Sequence, residues 1–226
     1  MSIAALWACL QWVRAQTAPE TVESRVKQFG TSVQQRLTAD FLRAGVSYPP
    51  ARMLLVGLKQ ERSLELYARG AGEPWKRIRA YPIQAASGHL GPKLREGDWQ
   101  VPEGFYRIEY LNPNSLFHLS MKLDYPNAFD RQWGAKEGRK KLGGDIMIHG
   151  KDASIGCLAM GDAAAEEIFV LAALTGIRNV SVILSPVDFR KQPLSKVKLE
   201  GQHIPPWMTP LYQQIETALA DLKSGD

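Results

Sequence analysis

The chain has 226 residues, of which 45% are hydrophobic and 23% are charged, and 28 Lys and Arg against 23 Asp and Glu give it a net charge of +5. This length and composition are sufficient for a buried core and exclude extensive disorder. Two cysteines are too few for a disulfide-stabilised scaffold, and no apolar run reaches the ~18 residues of a membrane-spanning helix, which excludes a polytopic membrane protein.

The first residues have the features of a secretory signal peptide. Residues 3–13 (IAALWACLQWV) form an apolar run of suitable length, and the residues up to Ala15 suit cleavage after that position. No Lys or Arg precedes the run, so an N-terminal core helix is the alternative. Cleavage would remove Cys9 and leave Cys157 as the one cysteine of an exported, periplasmic chain. A single thiol in that setting is intermolecular or reactive.

After this segment, the apolar pattern predicts helices at both ends of the chain and strands between them. Residues 16–50 form an N-terminal segment in which near-helical spacing of apolar residues predicts a helix. This helix ends before Pro49-Pro50, at the end of the segment. Strands are predicted over residues 53–58, 63–68, 75–83, 105–110, 116–121, 145–149 and 180–184, and further helices over 163–174 and 207–222. The polar stretch 124–145 is predicted to be an exposed excursion between strands. We therefore expect an α+β fold, with a β-rich domain over residues 51–190 and a C-terminal extension with a helix over 191–226.

The most chemically informative segment is IMIHGKDASIGCLAM, residues 146–160. In a strand that ends at His149, alternation places the side chains of His149 and Met147 on the face opposite two isoleucines. Cys157 follows eight residues later, directly after Gly156, whose missing side chain leaves room for a substrate. A cysteine reacts as the thiolate, and a neighbouring imidazole is the usual means of forming one. Cys157 and His149 are therefore candidates for a nucleophile and its general base.

The turn before the cysteine offers further candidates. The backbone N–H groups of Ile155, Gly156 and Cys157 could stabilise the oxyanion of a tetrahedral intermediate if they converge. Every member of the group also has a structural interpretation. A histidine at the end of a strand is commonly structural, a single cysteine is commonly a small buried hydrophobe, and Ser154 is a typical turn residue. Taken by themselves, the residues leave both interpretations open.

In combination, these motifs resemble the signature of the YkuD-type L,D-transpeptidases, in which His-Gly is followed by [ST]-x-G-C. The upstream segment GPKLREGDWQVPEGFY, residues 91–106, is similar to a second motif of that family. The segment FHLSMKLDYPNAFD, residues 117–130, looks most like the YafK (DpaA) branch. The resemblance extends over residues 52–190, and the ordered set of motifs makes a chance match improbable.

The resemblance implies a mostly β catalytic domain and a cysteine acyl-transfer enzyme of peptidoglycan. By position, Cys157 would be the nucleophile, His149 its general base, and the amides of residues 155–157 the oxyanion hole. The family attacks the carbonyl at the L-centre of diaminopimelate in a stem peptide, forms a thioester, and passes the acyl group to an amine or to water. The implied partners are peptidoglycan stem peptides and, for the YafK branch, a wall-linked lipoprotein. No cofactor is implied.

Two positions depart from the common family pattern, which has His before the Gly-Cys pair and Arg two residues after the Cys. Here these residues are Ile155 and Ala159. An Arg could bind a substrate carboxylate through two hydrogen bonds, so its absence argues against ordinary donor recognition. The YafK branch shares both departures and is associated with hydrolysis of amides that join lipoprotein to diaminopimelate. We therefore favour hydrolysis over transpeptidation, and a non-catalytic wall-binding module is the alternative of another class.

Three other residues are candidates to line the cleft, namely His118, Ser154 and Gly150. His118 lies in a predicted strand on the same face as Ser120, and a half-buried structural histidine is the alternative. The two Cys and four His include no CxxC or HxxxH spacing, so no metal site is expected. The basic residues cluster without interleaved aromatic residues, so nucleic acid is not an expected partner.

Overall fold

A computed structural model describes residues 19–154, 156–197 and 204–223. The predicted signal peptide, residues 1–15, lies outside the described residues, as do Cys9 and Ile155. Among the described helices, none is long and apolar enough to cross a membrane.

The described chain contains four α-helices and eight strands. The first half comprises helix α1 (Val22–Ala44) and strands β1 (Arg52–Leu58), β2 (Ser63–Arg69), β3 (Lys76–Pro82), β4 (Gly104–Ser115) and β5 (His118–Leu123). The second half comprises helix α2 (Ala128–Lys136), strands β6 (Met147–His149) and β7 (Leu158–Ala159), helix α3 (Asp162–Thr175), strand β8 (Val180–Ser185) and helix α4 (Met208–Lys223). Two short 3-10 helices, Ile177–Asn179 and Leu194–Lys196, precede and follow β8.

Local sequence explains where α1 begins and ends. The Thr21 side chain accepts a hydrogen bond from the Ser24 backbone N–H at 3.1 Å, and the Ser24 hydroxyl accepts one from Thr21, which forms a capping box. Gly45 ends the helix at φ +67°, a conformation that glycine adopts without strain. The predicted N-terminal helix is thus confirmed.

The strands form one mixed sheet in the order β3-β2-β1-β8-β4-β5-β6-β7. The pairs β1–β8 and β6–β7 are parallel, and the other neighbours are antiparallel. Strand β4 bridges the two halves of the sheet, because residues 104–107 pair with β8 and later residues pair with β5. The expected α+β fold class is confirmed. The sequence pattern did not predict β7, which has only two residues.

The two faces of the sheet carry separate apolar clusters. On one face, called the α1/α3 face, Leu37 of α1 and Ile168 of α3 pack with Leu55 and Ile148 of the sheet. On the other, called the α4 face, Tyr212 and Ile215 of α4 pack among a second set that includes Leu54, Val56 and Ile183. Burial of apolar surface on both faces is the main stabilising contribution to such a layered fold.

A buried ion pair joins Lys59, the residue after β1, to the loop between β3 and β4, and α4 contacts this pair through a hydrogen bond. The Glu103 carboxylate lies 2.7 Å from Lys59 Nζ, and it accepts hydrogen bonds from the Gly91 N–H at 2.9 Å and from the Tyr212 hydroxyl. Lys59 Nζ also donates to the carbonyl oxygens of Gly91 and Val101. Because its charge is paired and hydrogen-bonded, Glu103 can be fully buried.

One sequence-based expectation about the middle of the chain is wrong, and another is incomplete. The strand predicted over 116–121 begins only at His118, because Leu116 and Phe117 form the tight turn between β4 and β5. Residues 124–145 lie between β5 and β6, and many of them are exposed, as expected. The segment also includes α2, which the pattern did not predict and whose Phe129 and Trp133 rings contact Trp207 before α4. In both cases apolar side chains meet a partner distant in the chain, which local patterning does not report.

Candidate active site

The register of three short strands places the candidate catalytic residues on one face of the sheet. His149 of β6 lies opposite Ser120 of β5, and Ile148 lies opposite Leu158 of β7, the residue after Cys157. Ile148 packs into the core on the α1/α3 face. Because side chains alternate along a strand, His149 and Met147 point to the opposite face, as the sequence predicts.

The Cys157 thiol lies beside the start of β6. Its Sγ accepts a hydrogen bond from the Met147 N–H at 3.4 Å and donates to the Asp145 carbonyl oxygen at 3.6 Å. Burial raises the pKa of the Cys157 thiol above its usual value, and the Met147 N–H opposes this only in part. In this arrangement the thiol is protonated at pH 7 and is not already a thiolate.

His149 has the protonation state of a general base. Its Nδ1 lies 2.6 Å from the Gly150 carbonyl oxygen, and because a carbonyl can only accept, Nδ1 carries the proton. The other ring nitrogen, Nε2, therefore keeps its lone pair. Burial lowers the pKa of His149 below 6.5, and the hydrogen bond to the Gly150 carbonyl, which raises this pKa, offsets the effect only in part. The imidazole is thus neutral at pH 7 and able to accept a proton.

Gly150 packs against the β4–β5 turn and Asp162. The expectation that it lines the cleft is corrected, because it is not among the described residues that line the cavity. A Cβ atom at this position would lie 2.8 Å from the Phe117 carbonyl oxygen and 2.6 Å from Asp162 Oδ1. Only glycine allows the β4–β5 turn to approach the backbone so closely. This close approach is the physical reason for the His-Gly sequence at the end of β6.

A cavity opens on the face of the sheet that carries His149 and Cys157. Its volume is about 540 Å³, and its described lining residues are Asn112, Ser115, Leu116, Phe117, Ser120, Asp145, Met147, His149, Ala153, Ser154 and Cys157. The structure therefore brings Cys157, His149 and Ser154 together around one space. Of the 124–145 segment, only Asp145 contributes to this described lining, so α2 does not cover the cavity.

The loop that carries the nucleophile is held by two serine hydroxyls. Ser154 Oγ accepts a hydrogen bond from the Cys157 N–H at 2.9 Å and donates to the Cys157 carbonyl oxygen at 2.6 Å. The Gly156 N–H donates to Ser87 Oγ at 2.6 Å, and Ser87 donates to the Trp99 carbonyl oxygen at 2.8 Å. Two of the three amides predicted to stabilise an oxyanion thus have hydroxyl acceptors here, and the third, that of Ile155, lies outside the described residues. A substrate oxygen would have to replace these hydroxyls.

Several residues of this site are not predicted from the sequence. Ser87 lies 69 positions before Gly156, and a serine in a glycine-rich loop carries no local signal for such a contact. Phe117, which was assigned to a strand, contacts the His149 ring with 4.7 Å between the ring centroids. Asp145 could have been found, because alternation in the predicted strand places it on the same side as His149 and Met147.

His118 lies away from the cavity. Its Nε2 is 3.0 Å from the Glu166 carboxylate on α3, and its ring makes an edge contact with Phe29 of α1. His118 adopts φ +70° at the β4–β5 turn, and this turn conformation, not strand alternation, sets the direction of its side chain. The expectation that His118 lines the cleft is therefore corrected: among the described residues, it is not part of the cavity wall.

Within the described part of the chain, no group of three or more His, Cys, Asp or Glu side chains is arranged to hold a metal ion. The cavity brings together a thiol and a neutral imidazole, the two groups that attack by sulfur on an acyl carbon uses, and in this structure the thiol donates to the Asp145 carbonyl oxygen.

Comparison with known proteins identifies relatives of this arrangement. Residues 51–183 match the YkuD family, described as the L,D-transpeptidase catalytic domain. The chain is 41% identical over 133 residues, 57% of its length, to YafK of Escherichia coli strains K12 and O157:H7, proteins whose names assign them to the L,D-transpeptidases. The match covers 51% of those proteins, so the chain spans about half the length of the curated relatives it matches.

Solved structures share the fold. Pgp2 from Campylobacter jejuni, described as a helical cell shape determining protein, aligns with a TM-score of 0.50 at 23% sequence identity. The alignment covers 76% of this chain and 54% of that chain. At this identity the similarity concerns the fold alone.

Proposed function

The chain belongs to the family of L,D-transpeptidase catalytic domains, and from this membership we propose that it is a periplasmic cysteine acyl-transfer enzyme acting on peptidoglycan stem peptides. The observation that carries the proposal is that Cys157 and His149 line one cavity on one face of the sheet. The family acts on peptidoglycan peptides, and the cavity offers the nucleophile and base that acyl transfer requires.

In the proposed first step, Cys157 Sγ attacks the carbonyl carbon at the L-centre of diaminopimelate. Because the thiol and the imidazole are both neutral, His149 Nε2 takes the thiol proton as the new bond between sulfur and carbon forms. The carbonyl oxygen becomes an oxyanion, for which the N–H groups of Gly156 and Cys157 are the proposed donors once their serine acceptors are displaced. Collapse breaks the amide bond, His149 returns the proton to the leaving amine, and a thioester remains on Cys157.

The second step decides the reaction class. Attack by water on the thioester, with His149 as general base, releases a free carboxylate and restores the thiol. Attack by an amine instead forms a new amide and would make the enzyme a transpeptidase. Both reactions use the same residues, so the surroundings of the cavity must distinguish them.

The surroundings favour hydrolysis of diaminopimelate-linked amides. None of the described lining residues is Arg or Lys, and the position at which the family pattern has Arg is the fully buried Ala159. The one described charged carboxylate of the wall, that of Asp145, is paired with Lys122 Nζ at 3.1 Å, so this pair leaves no free cation for a substrate carboxylate. An uncharged amide linkage to a large amine fits such a wall better. Because α2 packs against Trp207 and leaves the cavity open, water can reach the thioester and a protein-linked substrate has room to enter. A wall-linked lipoprotein is the substrate of this kind that we propose.

Transpeptidation is the second candidate, since both branches share the thioester. Mass spectrometry of sacculus digests incubated with wild-type protein and with Cys157→Ala separates the two reactions. The proposal expects loss of lipopeptide-modified muropeptides with the wild type alone. New 3–3 crosslinks without that loss would identify a transpeptidase, and identical digests would support a non-catalytic wall-binding module.

A further inference from the structure

The part of the α4 face that β4 forms is exposed to solvent and lies between the active-site cavity and the far side of the sheet. On β4, Tyr106 and Ile108 are buried in the α1/α3 cluster, so Phe105, Arg107 and Glu109 point to the opposite face, where they are exposed. Phe105 lies opposite Ile183 of β8, a member of the α4-face cluster. His149 and Cys157 lie on this same face at the other end of the sheet.

Three adjoining cavities follow this open face. The active-site cavity shares Asp145 with a second cavity of about 530 Å³, which also contains Glu109 and Lys122. The second shares Asp124 and Asn127 with a third cavity of about 610 Å³. The three cavities therefore adjoin one another along the sheet, from Cys157 to the aromatic residues of the third cavity, and together they are called the groove. The part along β4 from Glu109 to Phe105 alone spans about 13 Å at ~3.3 Å per residue.

The far end of the groove is aromatic and flanked by polar side chains. Phe105 is 38% exposed, and Trp75 lies in the same cavity with the Arg69 guanidinium 4.4 Å from the centre of its ring. Arg107 lies beside Phe105 on the strand and opposite Ser181 of β8, and both of these polar residues are exposed. An exposed aromatic surface next to a guanidinium and a hydroxyl suits a ligand that has an apolar face and hydrogen-bonding edges. Sugar rings have this character.

We propose that this groove binds the glycan strand of peptidoglycan, with a sugar ring stacked on Phe105 while the attached stem peptide reaches Cys157. The inference rests on the proposed function, because a stem peptide held at Cys157 is covalently joined to a glycan. A polymeric ligand also requires an extended groove, whereas a small substrate would be accommodated by the active-site cavity alone. Binding energy from the remote glycan positions the peptide for attack.

Glycan binding is tested on full-length protein carrying Cys157→Ser, which removes turnover. The probe is glycan strands freed of their peptides, and the readout is the dissociation constant from calorimetry. Phe105→Ala is expected to weaken binding about tenfold through loss of the aromatic contact, whereas Phe105→Tyr retains it. Leu42→Ala, at a position 76% exposed on α1, is the matched control and leaves the affinity unchanged. Thermal unfolding of each variant verifies that the fold is intact.

Several results would overturn the inference. These are equal affinities of Phe105→Ala and Leu42→Ala for glycan, tighter binding of peptide-free protein segments than of glycan at the same site, or a dimer in solution that Phe105→Ala dissociates. The test is separate from that of the proposed function. If wild-type protein leaves sacculi unchanged while glycan binding persists, the proposed function fails alone; if sacculi are processed while glycan does not bind, only this inference fails.

Discussion

The ring of Phe117 lies against the ring of His149, with 4.7 Å between their centroids and 44° between their planes. Phe117 belongs to the β4–β5 turn, and Lys151, just after the His149-Gly150 pair, donates from Nζ to the Leu116 carbonyl oxygen at 2.6 Å. The turn and the end of β6 therefore hold each other in place. This contact orients the candidate base and excludes water from one side of it.

Phe117→Ala is expected to lower kcat/KM about tenfold, because the His149 ring loses the surface that fixes its orientation. The Phe117→Ala substitution also lets water reach the His149 ring, and because burial lowers the pKa of His149, this hydration should raise it. The acid limb of the pH–rate profile should therefore move to higher pH. Phe117→Leu keeps an apolar contact and should retain most of the activity. An unchanged acid limb in Phe117→Ala would contradict a positioning role.

The pH dependence of the wild type follows from two pKa directions. As pH falls through the lowered pKa of His149, the imidazole becomes protonated and can no longer accept the thiol proton, so kcat/KM should decline only below pH 6.5. Because the pKa of Cys157 is raised, iodoacetamide labelling of Cys157 in a Cys9→Ser background should have its midpoint above that of free cysteine. His89→Ala is the control and should leave both profiles unchanged. Labelling at pH 6 as fast as at pH 9 would instead indicate a thiolate–imidazolium pair.

Gly150→Ala should destabilise the protein by about 2 kcal/mol and abolish activity, because the added methyl overlaps the Phe117 carbonyl oxygen and Asp162. Gly144→Ala is a suitable control for stability, since a Cβ there meets nothing within 4 Å and the backbone is not left-handed. Urea unfolding of both variants gives the comparison. Equal free energies of unfolding would show that the turn can move away from β6 at little cost.

Glu103→Gln should lower the free energy of unfolding by about 3–5 kcal/mol, because it leaves the Lys59 charge buried without its partner. Glu109→Gln breaks an exposed pair with Lys122, 3.2 Å long, and should cost less than about 1 kcal/mol. Chemical denaturation at pH 7 measures both. A small loss for Glu103→Gln would mean that the Lys59 ammonium reaches water when its partner is neutral.

The sequence by itself determined the fold class, the presence of α1 and the pair of residues on which the proposed chemistry depends. Capping at Thr21 and Gly45 involves neighbours in the chain, so it can be read locally. Alternation in a short strand likewise places His149 on the face opposite the buried Ile148. These features depend on which side of an element is apolar, and periodicity reports that directly.

Only the tertiary structure decided what surrounds that pair. The hydroxyl of Ser87 on the Gly156 amide, the contact of α2 with Trp207, the direction of His118 and the groove that leads to Phe105 all join segments distant in the chain. Each depends on where a turn or loop comes to lie after the sheet has formed, and no local pattern encodes that position. A residue such as Phe117 satisfies a strand pattern and a turn equally well, and the packing of the turn against Gly150 selects between them.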